Sequence, residues 1–112
     1  MDIYLDCPAF SGYTTAWQAL HCGLPIITLE GQYLRQRLAA GLLRQVGATD
    51  GIVLSREQYV AAAVGWANEC RDTGRWDERR VELRGAAPRA DGNRAAVLAF
   101  EQKLWQALRE SA

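Results

Sequence analysis

The chain has 112 residues, 49% of them hydrophobic and 23% charged, and its 13 basic and 13 acidic side chains leave no net charge. That length admits one small domain and excludes two, and the charge balance excludes the clustered, unpaired cations of a nucleic-acid or anionic-membrane binder. No apolar run approaches the ~18 residues of a membrane span, and the start Met1-Asp2-Ile3-Tyr4-Leu5-Asp6 lacks the basic-then-apolar order of a signal peptide, so a cytoplasmic setting is expected.

Alternation over Asp2 to Asp6, interrupted by Pro8 and Gly12, predicts a short strand running into a loop. Thr14 or Thr15 then caps a helix through Ala16, Trp17, Ala19 and Leu20, with Gly23 at its left-handed end and Pro25 beyond. Ile26-Ile27-Thr28-Leu29 has the continuous apolar, β-branched character of a strand buried on both faces of a parallel sheet. Strand, helix and strand make a right-handed βαβ unit, with both strands ending at one sheet edge. Leu34, Leu38, Leu42 and Val46 recur every four residues and predict a second helix ended by Gly47; Ile52-Val53-Leu54 is a short candidate third strand.

Ser55 with Gln58 three residues on forms a capping-box pattern before Tyr59, Val60, Ala63, Val64 and Ala67 at helical spacing. Residues 68–94 interleave Arg with acidic side chains, which predicts a solvated, salt-bridged helix around Trp76 to Arg84 and then a loop. Val97, Phe100, Leu104, Trp105 and Leu108 form one apolar face of a terminal helix expected to pack back on the sheet. The fold class expected is therefore α/β, a partial Rossmann-like parallel sheet of two or three strands with flanking helices.

Phe10-Ser11-Gly12-Tyr13-Thr14-Thr15 is the one segment whose composition does not follow from packing. It lies between a strand and a helix start, where unpaired backbone amides and the positive end of the helix dipole converge. Gly12 permits close approach, and the Thr14 and Thr15 hydroxyls add donors for phosphate oxygens. A plain loop ending in a capping Thr has the same appearance, so the residues alone leave both readings open.

The stretch from Asp2 to Gly31 carries a resemblance. Asp-Ile-Tyr-Leu-Asp, Pro8, Ser-Gly-Tyr-Thr-Thr-Ala and Ala-Leu-His-Cys-Gly-Leu-Pro-Ile-Ile-Thr-Leu-Glu-Gly resemble the carboxyl-terminal half of the O-linked N-acetylglucosamine transferase family and its bacterial, tetratricopeptide-linked relatives. The match continues less specifically through Leu42-Leu43, Gly47, Glu57, Tyr59 and Phe100-Glu101. The resemblance implies that residues 1–112 are the carboxyl-terminal part of the donor-binding lobe of a GT-B type glycosyltransferase. It would take a nucleotide sugar, carrying N-acetylglucosamine or a hexose on uridine diphosphate, with no metal and no resident cofactor. Its partners would be the rest of a parent polypeptide, an amino-terminal lobe and tetratricopeptide repeats among it. The resemblance places the donor diphosphate on Gly12, Thr14 and Thr15. Tyr13 stands where the family usually has His, and Gln18 where it has an acid that contacts the ribose, so Gln18 keeps hydrogen bonding but loses the charge-assisted bond.

Residues 1–34 contain no Lys or Arg, and a helix dipole of ~0.3–1 kcal/mol at an exposed site is too weak to stabilise a departing diphosphate. The family draws a lysine from sequence ahead of this segment; Arg35 or Arg37 substitutes only if its helix folds back over the loop. No catalytic base is assigned and the chain alone is expected to be inactive. His21, the single histidine, is expected to pack on the body of its helix. Asp2 and Asp6, four residues apart on a strand and so ~13 Å apart, make no carboxylate pair and are expected in loop hydrogen bonding and edge solvation. Cys7, Cys22 and Cys70, an odd number with no C-x-x-C, are expected as small buried hydrophobes, and Trp17, Trp66, Trp76 and Trp105 as core or interface anchors. A sheet edge left open would favour self-association. The competing functional class is a non-catalytic protein-interaction module derived from a transferase lobe; an epimerase of the same fold is a third reading.

Overall fold

A computed structural model describes residues 1–92 and 94–111. Its elements alternate strand and helix through the first half: β1 (Tyr4–Leu5), α1 (Thr14–His21), β2 (Ile26–Leu29), α2 (Leu38–Val46) and β3 (Ile52–Val53). Three helices follow, α3 (Arg56–Glu69), α4 (Thr73–Ala86) and α5 (Arg94–Ser111). The strands form an open parallel sheet in the order β1-β2-β3, with Tyr4 opposite Ile26, Leu5 opposite Ile27, Thr28 opposite Ile52 and Leu29 opposite Val53. This is the expected parallel βαβ architecture with flanking helices.

Period-two alternation along β2 separates two cores. Ile26 faces Leu20, Leu24, Leu42, Leu43 and Leu83, the cluster that joins α1, α2 and the carboxyl end of α4 to one side of the sheet. Ile27 faces Trp66 and Trp76 on the other side, with Tyr59, Ala62 and Ala63 of α3 against them. Both isoleucines are almost fully buried, and each such side chain contributes roughly 1.5–3 kcal/mol by leaving water. α1 and α2 both end in a left-handed glycine, Gly23 (φ +68°) and Gly47 (φ +79°). In each case the next residue's amide reaches back five positions, Leu24 to Ala19 and Ala48 to Leu43, which turns the chain sharply towards the next strand. A Cβ on Gly23 would sit 2.6 Å from the Arg80 carbonyl, so α4 can lie under the α1–β2 turn, where Arg80 Nε donates to the Gly23 carbonyl at 3.0 Å.

Several expectations are corrected. Leu34 does not begin the second helix: it is 78% exposed and belongs to a 3-10 turn, Leu34–Gln36, and the helix starts at Leu38. The four-residue repeat mimicked a helical register that a turn bound to Gly31 and Tyr33 interrupts. On α3 the buried face runs through Tyr59, Ala62, Ala63 and Trp66, while Val60, Val64 and Ala67 face solvent. The large Trp66 decides which side turns inward. α4 is longer than expected and buries Trp76 and Leu83, and a 3-10 turn, Ala87–Ala90, replaces the expected loop; Asn93 lies outside the described residues.

The terminal helix departs most. None of the described side chains of α5 is buried, and Val97, Phe100, Leu104, Trp105 and Leu108 are all half-exposed or more. The sheet face it was expected to cover is already filled by α3 and Trp76. Trp105 is accordingly no core anchor, whereas Trp66 and Trp76 are, with Arg79 lying over both rings. Cys7 and Cys22 are exposed, against expectation, and only Cys70 is partly buried, its thiol pKa raised by burial. Among the described residues no helix is long and apolar enough to cross a membrane.

Candidate functional site

The carboxyl edge of the sheet is where β1 opens into the loop 7–13 and β2 into the turn 30–37. The residue that organises this edge is Asp6. Far from solvating an edge, it is 1% exposed. Its Oδ2 accepts the Ser11 hydroxyl at 2.5 Å and the Thr28 hydroxyl at 2.8 Å, and its Oδ1 accepts the Gly12 amide at 2.8 Å. Three short donors offset the desolvation of a buried carboxylate. Ser11 carries the lock further: its Oγ accepts the Ala39 amide at 2.9 Å in the first turn of α2, and its own amide donates to the Arg35 carbonyl at 2.6 Å. Loop, central strand and the entry to α2 are thereby joined through one side chain.

Gly12 lies over a second pair. The Tyr4 and Thr15 hydroxyls are 2.7 Å apart, and a Cβ on Gly12 would come within 2.7 Å of Thr15 Oγ1 and 2.8 Å of the Tyr4 hydroxyl. Only glycine allows the chain to pass there. Because its amide already donates to Asp6, Gly12 offers a ligand space rather than a donor. The donors lie beyond it: α1 has no side-chain cap at Tyr13, and its first backbone bond runs from Trp17 to the Tyr13 carbonyl, so the amides of its first turn face the loop mouth with the positive end of the dipole. Thr14 and Gln18, four apart and both exposed, share one helix face. Tyr13, Trp17 and His21 line the adjacent face, with successive ring centroids 5.9 and 6.0 Å apart.

Gly12, Tyr13, Thr14, Thr15 and Gln18 thus occupy one loop and the turns of α1 that follow it. His21 stands at the far end of that helix, exposed and 3.4 Å from Asp91, rather than packed in the core. The turn after β2 brings basic groups to the same edge. Glu30 receives both Arg44 and Arg37, and the Arg44 hydrogen bonds hold its carboxyl below the usual range. Arg35 has no carboxylate among the described residues; its guanidinium lies 4.7 Å from the centroid of the Tyr33 ring. From the other sheet face, the Tyr59 hydroxyl donates to the Asp6 carbonyl at 2.9 Å, and burial, with Asp6 nearby, raises its pKa. The expected loop hydrogen bonding of Asp6 is present, but its burial and the parts played by Thr28, Tyr4 and Tyr59 were not anticipated from the sequence. The available signal was an acid ending a strand just before a Ser-Gly loop, which places a carboxylate under backbone amides.

The model of Glycosyl transferase family 41 matches residues 1–91. The chain belongs to that family. Curated relatives include proteins described as probable UDP-N-acetylglucosamine--peptide N-acetylglucosaminyltransferase SPINDLY. The one from Oryza sativa subsp. japonica is 33% identical over 95 residues, covering 82% of this chain and 10% of its own length; the one from Solanum lycopersicum is 28% identical over 92 residues, with the same coverage. A UDP-N-acetylglucosamine--peptide N-acetylglucosaminyltransferase of Caenorhabditis elegans is 33% identical over 63 residues, 56% of this chain and 6% of its own. Among solved structures, a mutant of the Thermobaculum terrenum O-GlcNAc transferase superposes with a TM-score of 0.73 at 31% identity, over 98% of this chain and 20% of that one. The chain spans about a tenth of the curated relatives and a fifth of the structural one. The family 41 match covers the whole of the Asp6 node and α1.

Proposed function

We propose that this family 41 chain forms the carboxyl-terminal part of a GT-B donor lobe and holds the diphosphate of a UDP-sugar. The Thr14 and Thr15 hydroxyls and the open amides at the start of α1 bind phosphate oxygens, and Gln18 faces the ribose. The reaction served is transfer of N-acetylglucosamine or a hexose to a protein or other acceptor hydroxyl. The acceptor oxygen bonds to the anomeric carbon as the bond from that carbon to the diphosphate oxygen breaks; the bonding pair leaves with uridine diphosphate, and the hydroxyl proton passes to a general base. What carries the reading is an uncapped helix start behind Gly12, at the carboxyl edge of a parallel sheet, in a family 41 chain. The exposed apolar face of α5 fits contact with the rest of a longer transferase.

The test is titration of the chain with UDP followed by amide NMR. Shifts at Thr14 and Thr15 that weaken in Thr14→Ala and Thr15→Ala support the donor site. A second reading, an interaction module without donor binding, is motivated by Tyr13, Gln18 and the absence of Lys and Arg from residues 1–34; no shift at millimolar UDP selects it. Sugar transfer by the purified 112-residue chain alone would overturn the reading that it is one part of a longer transferase and inactive by itself.

A further inference from the structure

The donor reading leaves a charge unanswered, since a diphosphate needs a cation and the first 34 residues contain none. Four observations single out one group. The turn Leu34–Gln36 folds back onto the loop, because the Ser11 amide donates to the Arg35 carbonyl at 2.6 Å. That contact sets the Arg35 backbone beside the residue preceding Gly12. The turn is fixed from its other side as well: the Gly31 amide donates to the Gln36 carbonyl and the Tyr33 amide to Gln36 Oε1, both at 3.3 Å. The neighbouring cations Arg37 and Arg44 are engaged by Glu30. Arg35 is exposed, has no carboxylate partner among the described residues, and rests its guanidinium on the exposed Tyr33 ring.

We propose that Arg35 is the cation this chain sets against the donor diphosphate, an inference that rests on the donor reading above. Its backbone is pinned at the loop that leads into α1, while among the described residues its head is held by a solvent-exposed cation–π contact with Tyr33 that a better partner displaces. A planar guanidinium fork suits two oxygens on a diphosphate, and its attraction grows as negative charge develops on the leaving group. Arg37 is the control: close in sequence, but its Nε lies 3.6 Å from Glu30, the carboxylate that also holds Arg44.

The test titrates UDP, UMP and uridine into the full chain with EDTA present, for the wild type, Arg35→Gln, Arg35→Lys and Arg37→Gln, with amide spectra confirming that each variant is folded. Arg35→Gln is expected to weaken UDP about tenfold, the equivalent of one charge-assisted contact, and to leave uridine unchanged. Arg35→Lys should recover part of the loss, and Arg37→Gln should have little effect. UDP binding that depends on Thr14 and Thr15 but is indifferent to Arg35→Gln overturns this assignment and leaves the donor site standing. If UDP moves no loop amide in the wild type, the donor reading fails and the Arg35 assignment with it.

Discussion

The Tyr4 hydroxyl stands 2.7 Å from the Thr15 hydroxyl, so the first strand of the sheet holds the first turn of α1. Tyr4→Phe removes that bond without altering the ring. The expected cost is about 0.5–1 kcal/mol in urea unfolding, as for a partly exposed neutral hydrogen bond. UDP binding should fall a few-fold, because the Thr15 hydroxyl loses its fixed direction. Unchanged stability together with unchanged binding would show the contact to be idle.

Gly12 lies over that same pair, which makes Gly12→Ala a test of the geometry. A Cβ would meet both hydroxyls at 2.7–2.8 Å, and overpacking of this kind costs about 1–3 kcal/mol. Combining it with Tyr4→Phe removes one of the two obstacles. The double variant should then be more stable than the sum of the single effects predicts, a coupling that a double-mutant cycle measures directly.

Asp6 is the acceptor for three donors, and its replacement should be felt across the site. Asp6→Ala leaves the Gly12 amide and the Ser11 and Thr28 hydroxyls facing a buried gap. A loss of about 2–4 kcal/mol is expected, with faster hydrogen exchange at Gly12. Tyr59→Phe, which removes the bond to the Asp6 carbonyl on the opposite face, should cost only about 0.5–1.5 kcal/mol.

Glu30 makes stability depend on pH in a definite direction. The Arg44 bonds lower its pKa from the usual 4.5 in the folded chain, so as pH falls the unfolded chain binds this proton first. The contribution is present above pH 4.5 and is lost as pH drops through the lowered value. Melting temperatures of the wild type and Glu30→Gln should differ at pH 7 and converge in acid. A difference that persists at the lowest pH would assign the effect to packing.

The exposed face of α5 predicts an asymmetry among the tryptophans. Trp66→Ala, in the core beneath β2, should cost about 3–5 kcal/mol, whereas Trp105→Ala should leave the urea midpoint of the isolated chain within experimental error.

The order strand, helix, strand was legible because Ile26 to Leu29 and the glycines at 23 and 47 are local signals, each with a direct steric meaning. Thr14 and Thr15 were placed at the start of α1 for the same reason, although they lie within its first turn and neither is the cap, a position that Tyr13 takes without a side-chain bond. What stayed hidden depends on contacts between residues distant in sequence. The Asp6 to Thr28 bond spans 22 positions, and Tyr59 reaches Asp6 across 53. No periodicity records such pairings. The inward face of α3 was misjudged because Val60 and Val64 have the right spacing, and only the volume of Trp66 against Ile27 rotates the helix the other way. For α5 the amphipathic pattern was read correctly, but pattern alone does not say what an apolar face meets.

Ser11 has a dynamic consequence. Its hydroxyl gives its proton to Asp6 and takes that of the Ala39 amide, while its own amide is held by Arg35. Lifting the loop away from β2 therefore also uncaps α2, so the two segments open as one cooperative unit with a single local opening free energy. The Ala39 amide, which donates to Ser11 and is given no ligand contact of its own, becomes a reporter: ligands that close the loop slow its exchange, and mutations that loosen the loop quicken it.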